Sequence, residues 1–177
     1  MYSTAAVGSE WAEYLFVHEF GHHFAALADE YYTSPVAYQS GAERPEPWEP
    51  NVTALHDPKK LKWRNRVTSG TPLPTPWPKK EFEDHERDYQ KVRAKLRAEH
   101  RPEAEMNALF REELKDTQKL FSSVPYKNAL GAFEGANYAA SGYYRPAMQC
   151  IMFDRSERFC KVCADAIEEI IDLYTAR

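Results

Sequence analysis

Long apolar runs, excess positive charge and internal repeats are all missing from this 177-residue sequence. No apolar run approaches the ~20 residues that a membrane-spanning helix needs, so we expect no membrane span. The net charge of -4 offers no electrostatic attraction to nucleic acid or to an anionic membrane. The first 20 residues also lack the basic-then-apolar layout of a signal peptide, because Glu10 and Glu13 interrupt them.

Cysteine is scarce, with Cys150, Cys160 and Cys163 as the only three. The Cys160-x-x-Cys163 spacing is typical of half a zinc knuckle, of a redox pair or of a disulfide. A knuckle needs four ligands and only three thiols exist, and no pattern indicates the thioredoxin-like context of a redox pair. We therefore expect a disulfide from Cys150 to one of the other two, with the pairing left open, and hence an oxidising compartment.

Apolar residues are nevertheless numerous enough for a real core. Hydrophobic residues make up 43% of the chain and aromatic residues 14%. The length suits a single domain over residues 1–177. The pattern along the chain predicts an α+β fold that is predominantly α, and it leaves the oligomeric state open.

The chemical signal is a His-Glu-x-x-His motif at His18, Glu19 and His22. Histidines four residues apart share one face of a helix and can bind a single Zn2+ ion, with Glu19 beside it. Zinc lowers the pKa of a bound water to about 7, and Glu19 would take that proton and pass it to a leaving amine. The motif therefore predicts metal-assisted amide hydrolysis, on a helix from about Glu10 to Leu27.

A tetrahedral zinc that keeps one water needs a third protein ligand, and Asp29 is the nearest candidate. In an unbroken helix Asp29 would lie about 10 Å beyond His22 along the axis, so the helix must end near residues 25–27 and fold back. Glycine usually makes such a reversal, but none occurs between Gly21 and Gly41. Three other side chains remain in reserve as ligands: Glu30, His56 and Glu134.

Short sequence blocks around and after the motif occur in a fixed order. They are His18-Glu19-Phe20-Gly21-His22, Leu27-Ala28-Asp29-Glu30-Tyr31, Glu49-Pro50-Asn51-Val52-Thr53, Lys62-Trp63, residues 70–76, Phe133-Glu134-Gly135-Ala136-Asn137-Tyr138, Tyr144-Arg145-Pro146, Cys150-Ile151-Met152 and residues 159–163. Together these blocks resemble the bacterial IgA metallopeptidase family of zinc endopeptidases. The resemblance covers most of the chain except roughly residues 79–122.

The resemblance implies a metzincin-like catalytic domain, with Asp29 as the third zinc ligand and Met152 in a turn beneath the metal. It also implies immunoglobulin cleavage and a secreted or cell-surface bacterial protein. A further implication is a sheet upstream of the zinc helix, to which only Tyr2 to Val7 could contribute. We therefore expect that the chain lacks that sheet because it is a fragment or has a wrongly assigned start; a compact family member is the alternative.

Residues 79–122 form a separate block of high charge density. Apolar residues repeat at three- and four-residue spacing over Lys79 to His100 and again over Glu103 to Phe121, and Pro102 breaks the pattern between them. The block predicts a helical hairpin, inserted into the domain at about 79–122. It is either a solvated structural insertion or a lid or partner-binding element near the cleft.

The function predicted from the sequence is zinc-dependent endopeptidase activity on a protein or peptide, with His18, His22 and Asp29 as ligands and Glu19 as general base. A tyrosine hydroxyl among Tyr138, Tyr143 and Tyr144 could also stabilise an oxyanion. The alternative is a zinc-binding but inactive fragment, in which the hairpin is a protein-binding module.

Overall fold

Residues 9–33 and 44–175 are described in this computed structural model. Over these ranges the chain forms four α-helices and one two-stranded antiparallel sheet. In chain order the elements are α1 (Ala12–Ala25), α2 (Lys79–Ala98), α3 (Glu103–Ser122), β1 (Phe133–Ala136), β2 (Ala139–Arg145) and α4 (Lys161–Thr175). This content confirms an α+β fold that is predominantly α, whereas the metzincin-like layout stays a prediction. The strand considered for residues 2–7 lies outside the described ranges.

Helix α1 buries the face that carries His18, Gly21 and Ala25. It ends at Ala25 because Ala26 takes a left-handed conformation, with φ 53° and ψ 35°, and the Leu27 N–H then donates to the Gly21 carbonyl at 3.2 Å. The chain therefore folds back within the three residues that the sequence predicts, although an alanine and not a glycine makes the reversal.

Helices α2 and α3 pack against each other as an antiparallel pair. Phe82 near the start of α2 contacts Phe121 near the end of α3, with ring centroids 5.7 Å apart, and Tyr89 lies 6.4 Å from Phe110 halfway along. Each helix begins directly after a proline, at Pro78 and Pro102 respectively. The two predicted helices are thus present within two residues of their expected ends, while their status as an insertion stays a prediction.

Strands β1 and β2 form a hairpin whose two-residue turn is Asn137-Tyr138. Both turn residues have positive φ, 51° and 60°, as a type I′ turn requires. The sequence did not predict this hairpin, because the favoured Asn-Gly signal is replaced by Asn-Tyr. An isolated bridge from Thr53 to Tyr144 extends the sheet by one short segment.

The main core lies between α1, α4, the chain around Met152 and the facing ends of α2 and α3. Helix α4 packs on α1. Residues 150–154 form a tight turn, in which the Cys150 carbonyl accepts from Phe153 N–H at 2.8 Å and Asp154 N–H at 3.0 Å. Within the described ranges no helix combines the length and the apolar character needed to cross a membrane.

Candidate metal centre

Three side chains that the sequence selects converge at the end of α1. His18 Nε2 lies 3.0 Å from His22 Nε2 and 3.0 Å from Asp29 Oδ1, and His22 Nε2 lies 3.1 Å from the same oxygen. The three atoms thus form a nearly equilateral triangle. The His18 and Asp29 side chains are only 7% and 10% exposed.

Backbone carbonyls fix the tautomers of both histidines. His18 Nδ1 lies 2.8 Å from the Ile151 carbonyl, and His22 Nδ1 lies 2.6 Å from the Leu27 carbonyl. A carbonyl oxygen only accepts hydrogen bonds, so both Nδ1 atoms carry the proton and, in the neutral rings, both Nε2 atoms present lone pairs. In this neutral form the two lone pairs and the Asp29 carboxylate oxygen face one another, and a proton or a metal cation between them stabilises the arrangement.

The size of this triangle fits a small divalent cation. Tetrahedral zinc with ligands at 2.0–2.1 Å sets its ligand atoms about 3.3 Å apart, close to the observed 3.0–3.1 Å. The donor set of two imidazoles and one carboxylate is one that zinc accepts at catalytic sites, and it leaves a fourth position for water or substrate. Imidazoles held by backbone carbonyls are also the usual outer-shell arrangement of zinc-bound histidines.

Asn51 holds the segment that brings Asp29 to the histidines. Its side chain is fully buried and makes hydrogen bonds of 2.8–2.9 Å with both the N–H and the carbonyl of Ala28. Its Nδ2 also donates to Glu30 Oε1 at 2.9 Å. These three bonds offset the cost of the left-handed Ala26, which is about 1–2 kcal/mol for a residue with a Cβ.

Tyr138 reaches Asp29 from the tip of the β-hairpin. Its hydroxyl donates a short hydrogen bond to Asp29 Oδ2, the oxygen that does not face the histidines. Backbone bonds hold it there, since the N–H of Tyr138 donates to the Tyr31 carbonyl at 3.1 Å and the N–H of Asn137 to the Asp29 carbonyl at 2.9 Å. The positive φ of Tyr138 is thus maintained by contacts with the very segment that carries Asp29.

Hydrogen bonding sets the charge of this carboxyl group. Burial opposes the ionisation of Asp29, but the adjacent His18 and His22 rings and the hydrogen bond from Tyr138 hold its pKa well below the usual value. Burial and the Asp29 hydrogen bond raise the pKa of Tyr138 well above the usual value. Asp29 is therefore a carboxylate, and Tyr138 remains a protonated donor, across the physiological pH range.

Glu19 and His18 line a cavity of about 490 Å³ next to the triangle. Tyr31 belongs to the same wall, and its ring stacks on His18 with the centroids 6.3 Å apart. The opposite side of the cavity comes from α2, through Glu86 and Tyr89 among others. Helix α2 therefore borders the same cavity as Glu19, whereas the choice between a structural insertion and a lid stays a prediction.

The reserve ligands lie elsewhere. Glu30 is fully buried but turns toward Cys163, whose thiol lies 3.2 Å from its Oε1. Glu134 accepts from the Gly142 N–H at 3.3 Å and lies 3.7 Å from Lys79. His56 is exposed. Among the described residues, only Asp29 joins the two histidines as a third ligand group.

Met152 lies against α1 at Gly21, the residue before His22. A Cβ added to Gly21 would lie 2.9 Å from Met152 Sδ, so this glycine allows the close approach of α1 and the turn at 150–154. Ile151, which orients His18, is the preceding residue of the same turn. The role of Met152 beneath the metal, which the family resemblance implies, stays a prediction.

The comparison with protein families decides the assignment. The family model described as IgA Peptidase M64 matches residues 1–171. The chain belongs to this family. Membership in the M64 family implies a metallopeptidase, and it confirms the resemblance read from the sequence blocks. No curated protein matches the chain.

The expected disulfide from Cys150 to Cys160 or Cys163 is absent from the described structure of this M64 chain, so that prediction is wrong. All three cysteines are free, and the Cys150 and Cys163 sulfurs are 3.7 Å apart, far from the ~2.05 Å of a disulfide. The contacts that two other residues make at the candidate centre were not predicted. No spacing distinguishes Tyr138 from Tyr143 and Tyr144, and Asn51 stood only as part of a matching block.

Proposed function

We propose that this M64 family member is a zinc-dependent endopeptidase. His18, His22 and Asp29 hold the zinc, and Glu19 is the general base and then the general acid. A zinc ion in this position supplies Lewis acidity, which lowers the pKa of water to about 7. The proposal extends the predictions made from the sequence motif, and the family match supports its peptidase part.

The observation that carries the proposal is the convergence of three ligand atoms, His18 Nε2, His22 Nε2 and Asp29 Oδ1, within 3.0–3.1 Å of one another. When both rings are neutral these atoms repel one another, since the Nδ1 hydrogens are already donated to the carbonyls of Ile151 and Leu27. A divalent ion turns this repulsion into ligation. A purely structural role for the histidines would not need their lone pairs to converge.

The remaining residues each have a defined task. Glu19 borders the cavity beside His18, from where its carboxylate accepts a proton from water and later donates it to the amine of the cleaved bond. Tyr138 and the Ile151 carbonyl orient the ligands Asp29 and His18. The cavity between α1 and α2 admits the peptide segment.

The test is cleavage of unfolded casein by the zinc-loaded protein, with the products identified as internal fragments by mass spectrometry. We expect Glu19→Gln to lower turnover by about 100-fold or more while retaining one equivalent of zinc at this site. Glu13→Gln is the matched control, because Glu13 lies on the same helix and is exposed. A chelator should abolish cleavage, and added zinc should restore it.

Two results would count against the proposal. Unchanged turnover in Glu19→Gln would show that Glu19 is not the general base. Zinc binding without any cleavage would favour the alternative, an inactive binding module. Human IgA is included as a second substrate because the family description names it. Cleavage of casein but not of IgA would retain the endopeptidase chemistry and restrict the substrate class.

A further inference from the structure

A second cluster of ligand atoms lies in the core, formed by the thiols of Cys150, Cys160 and Cys163 and the carboxylate of Glu30. These ligand atoms all lie within 4.8 Å of one another. We propose that the cluster is a second metal site, which binds zinc or another thiophilic divalent cation with three thiolates and one carboxylate. None of its ligands belongs to the His18, His22 and Asp29 centre.

The distances in the cluster match a tetrahedral metal better than a disulfide. The Cys150 and Cys163 sulfurs are 3.7 Å apart, and two thiolates at ~2.3 Å from a tetrahedral zinc would be about 3.8 Å apart. Glu30 Oε1 lies 3.2 Å from the Cys163 sulfur, close to the ~3.5 Å of a mixed sulfur and oxygen pair on zinc. Structural zinc sites have four protein ligands, and this cluster supplies four.

An independent observation also indicates a missing cation. Glu30 is 0% exposed, and its Oε2 has no hydrogen-bond partner. Its other oxygen accepts from Asn51 Nδ2 at 2.9 Å. A buried polar atom without a partner costs about 1–3 kcal/mol, and more when it is charged. A metal ion bound by this carboxylate removes that cost.

The backbone around the cysteines also suits thiolate ligands. Cys160 immediately precedes the first residue of α4, and Cys163 lies in its first turn. Thiolates are favoured at a helix N-terminus by its exposed N–H groups. In addition, the N–H of Cys160 points at the Cys150 sulfur at 3.2 Å. The Cys-x-x-Cys pair is thus half of a knuckle, and Cys150 and Glu30 complete it.

Such a site would be structural. With four protein ligands it has no position for a substrate. It would join the segment that carries Asp29, through its neighbour Glu30, to the turn that orients His18, through Cys150 and its neighbour Ile151. The Glu30 N–H already donates to the Met152 carbonyl at 2.8 Å between these segments.

The experiment measures metal stoichiometry in the full chain, purified under reducing conditions and loaded with zinc alone. We expect two zinc equivalents in the wild type and one in the double variant His18→Ala/His22→Ala. Cobalt substitution of that double variant should give the intense thiolate-to-cobalt charge-transfer bands of a tetrahedral site. This readout needs no cysteine variant, so it remains valid if cysteine substitutions prevent folding.

The carboxylate ligand is tested in the same double-variant background. Glu30→Gln should retain the charge-transfer bands but bind cobalt at least tenfold more weakly. Glu134→Gln is the control, because the Glu134 carboxylate contacts the Gly142 N–H and Lys79 and no cysteine. Equal cobalt affinity in Glu30→Gln and Glu134→Gln would overturn the assignment of Glu30.

Two outcomes would overturn the site as a whole. One is a double variant that holds no zinc and shows no charge-transfer bands. The other is an intact mass two hydrogens lower under native conditions with two thiols unreactive after denaturation, which would identify a disulfide. If instead the wild type and the double variant both bind a single zinc, the second site holds and the proposed His18, His22 and Asp29 centre fails.

Discussion

Replacing Tyr138 by phenylalanine removes one hydroxyl from the candidate metal centre and leaves the ring in place. In the native structure this hydroxyl donates to Asp29 Oδ2, and the Tyr31 hydroxyl lies 3.1 Å from it. Asp29 is 10% exposed on its side chain, so water has little access to replace the lost donor. The carboxylate then keeps its charge but loses one of the contacts that orient it.

The expected effect is a loss of zinc affinity. Hydrogen bonds to charged groups contribute about 1.5–3 kcal/mol, and loss of an outer-shell partner of a metal ligand typically lowers metal affinity 10–100-fold. The two ranges agree, since each factor of ten corresponds to about 1.4 kcal/mol. Competition with a chromophoric zinc chelator measures the zinc Kd of the wild type and of Tyr138→Phe. We expect the Kd to rise by this factor.

Tyr143→Phe is the matched control for this experiment. The Tyr143 hydroxyl donates to the Pro45 carbonyl at 3.1 Å, and its ring packs with Val52 and Ala136, away from the histidines. A zinc Kd that changes equally in both variants would show that loss of a buried hydroxyl acts through general stability. An unchanged Kd in Tyr138→Phe would refute the role of Tyr138 in orienting Asp29.

Three further substitutions test the surroundings of the site. Ala26→Gly should raise the melting temperature by about 2–4 °C, since it removes roughly 1 kcal/mol of left-handed strain; a lower melting temperature would contradict this. Gly21→Ala should lower stability by about 1–3 kcal/mol and weaken zinc binding, because its Cβ would meet Met152 Sδ at 2.9 Å. Burial and the nearby Glu113 raise the pKa of Glu86 from 4.5 to about 7. The contribution of Glu86 to the free energy of unfolding is therefore fully present below pH 4.5 and is lost as the pH rises through 7. The loss amounts to about 3 kcal/mol. Glu86→Gln should therefore be more stable than the wild type in urea unfolding at pH 8 but not at pH 4.5, and an equal gain at both would be evidence against it.

His18, Glu19 and His22 could be predicted from the sequence because their geometry is local. A helix of fixed pitch places residues four apart on one face, so the motif alone brings the two imidazoles together. The ends of α2 and α3 could be predicted in the same way, since prolines precede both helices and three- and four-residue periodicity continues through them. Local rules were sufficient for all of these features.

Asp29 could be predicted only conditionally, because its position depends on a reversal that the sequence does not announce. Ala26 adopts positive φ without glycine's freedom. The compensating bonds come from Asn51, 22 residues after Asp29, and no helical or strand period links the two. The contact between Tyr138 and Asp29 could not be predicted for the same reason. It depends on a hairpin that has a tyrosine at a turn position with positive φ.

The cysteines show a different limit. Counting thiols gives three, which is one short of a knuckle, and the fourth candidate ligand is a glutamate more than 100 residues earlier in the chain. A carboxylate next to Asp29 is naturally assigned to the catalytic cluster. In the fold, adjacent residues Asp29 and Glu30 point to different clusters, as neighbours in an extended segment do.

The segments around the candidate centre have little regular structure, so buried polar contacts must hold them. Residues 26–33 and 146–160 contain no helix or strand, yet they supply Asp29 and the carbonyls that orient both histidines. Fixed positions in such segments require directional bonds, since apolar packing alone tolerates sliding. This explains why fully buried polar side chains concentrate here. Asn51 ties down residues 28–30, and the Arg145 guanidinium donates to the Gly135 carbonyl at 2.8 Å and lies 3.7 Å from the ring centroid of Phe153. The polar interior is thus the scaffold that turns a local helical motif into a three-ligand site.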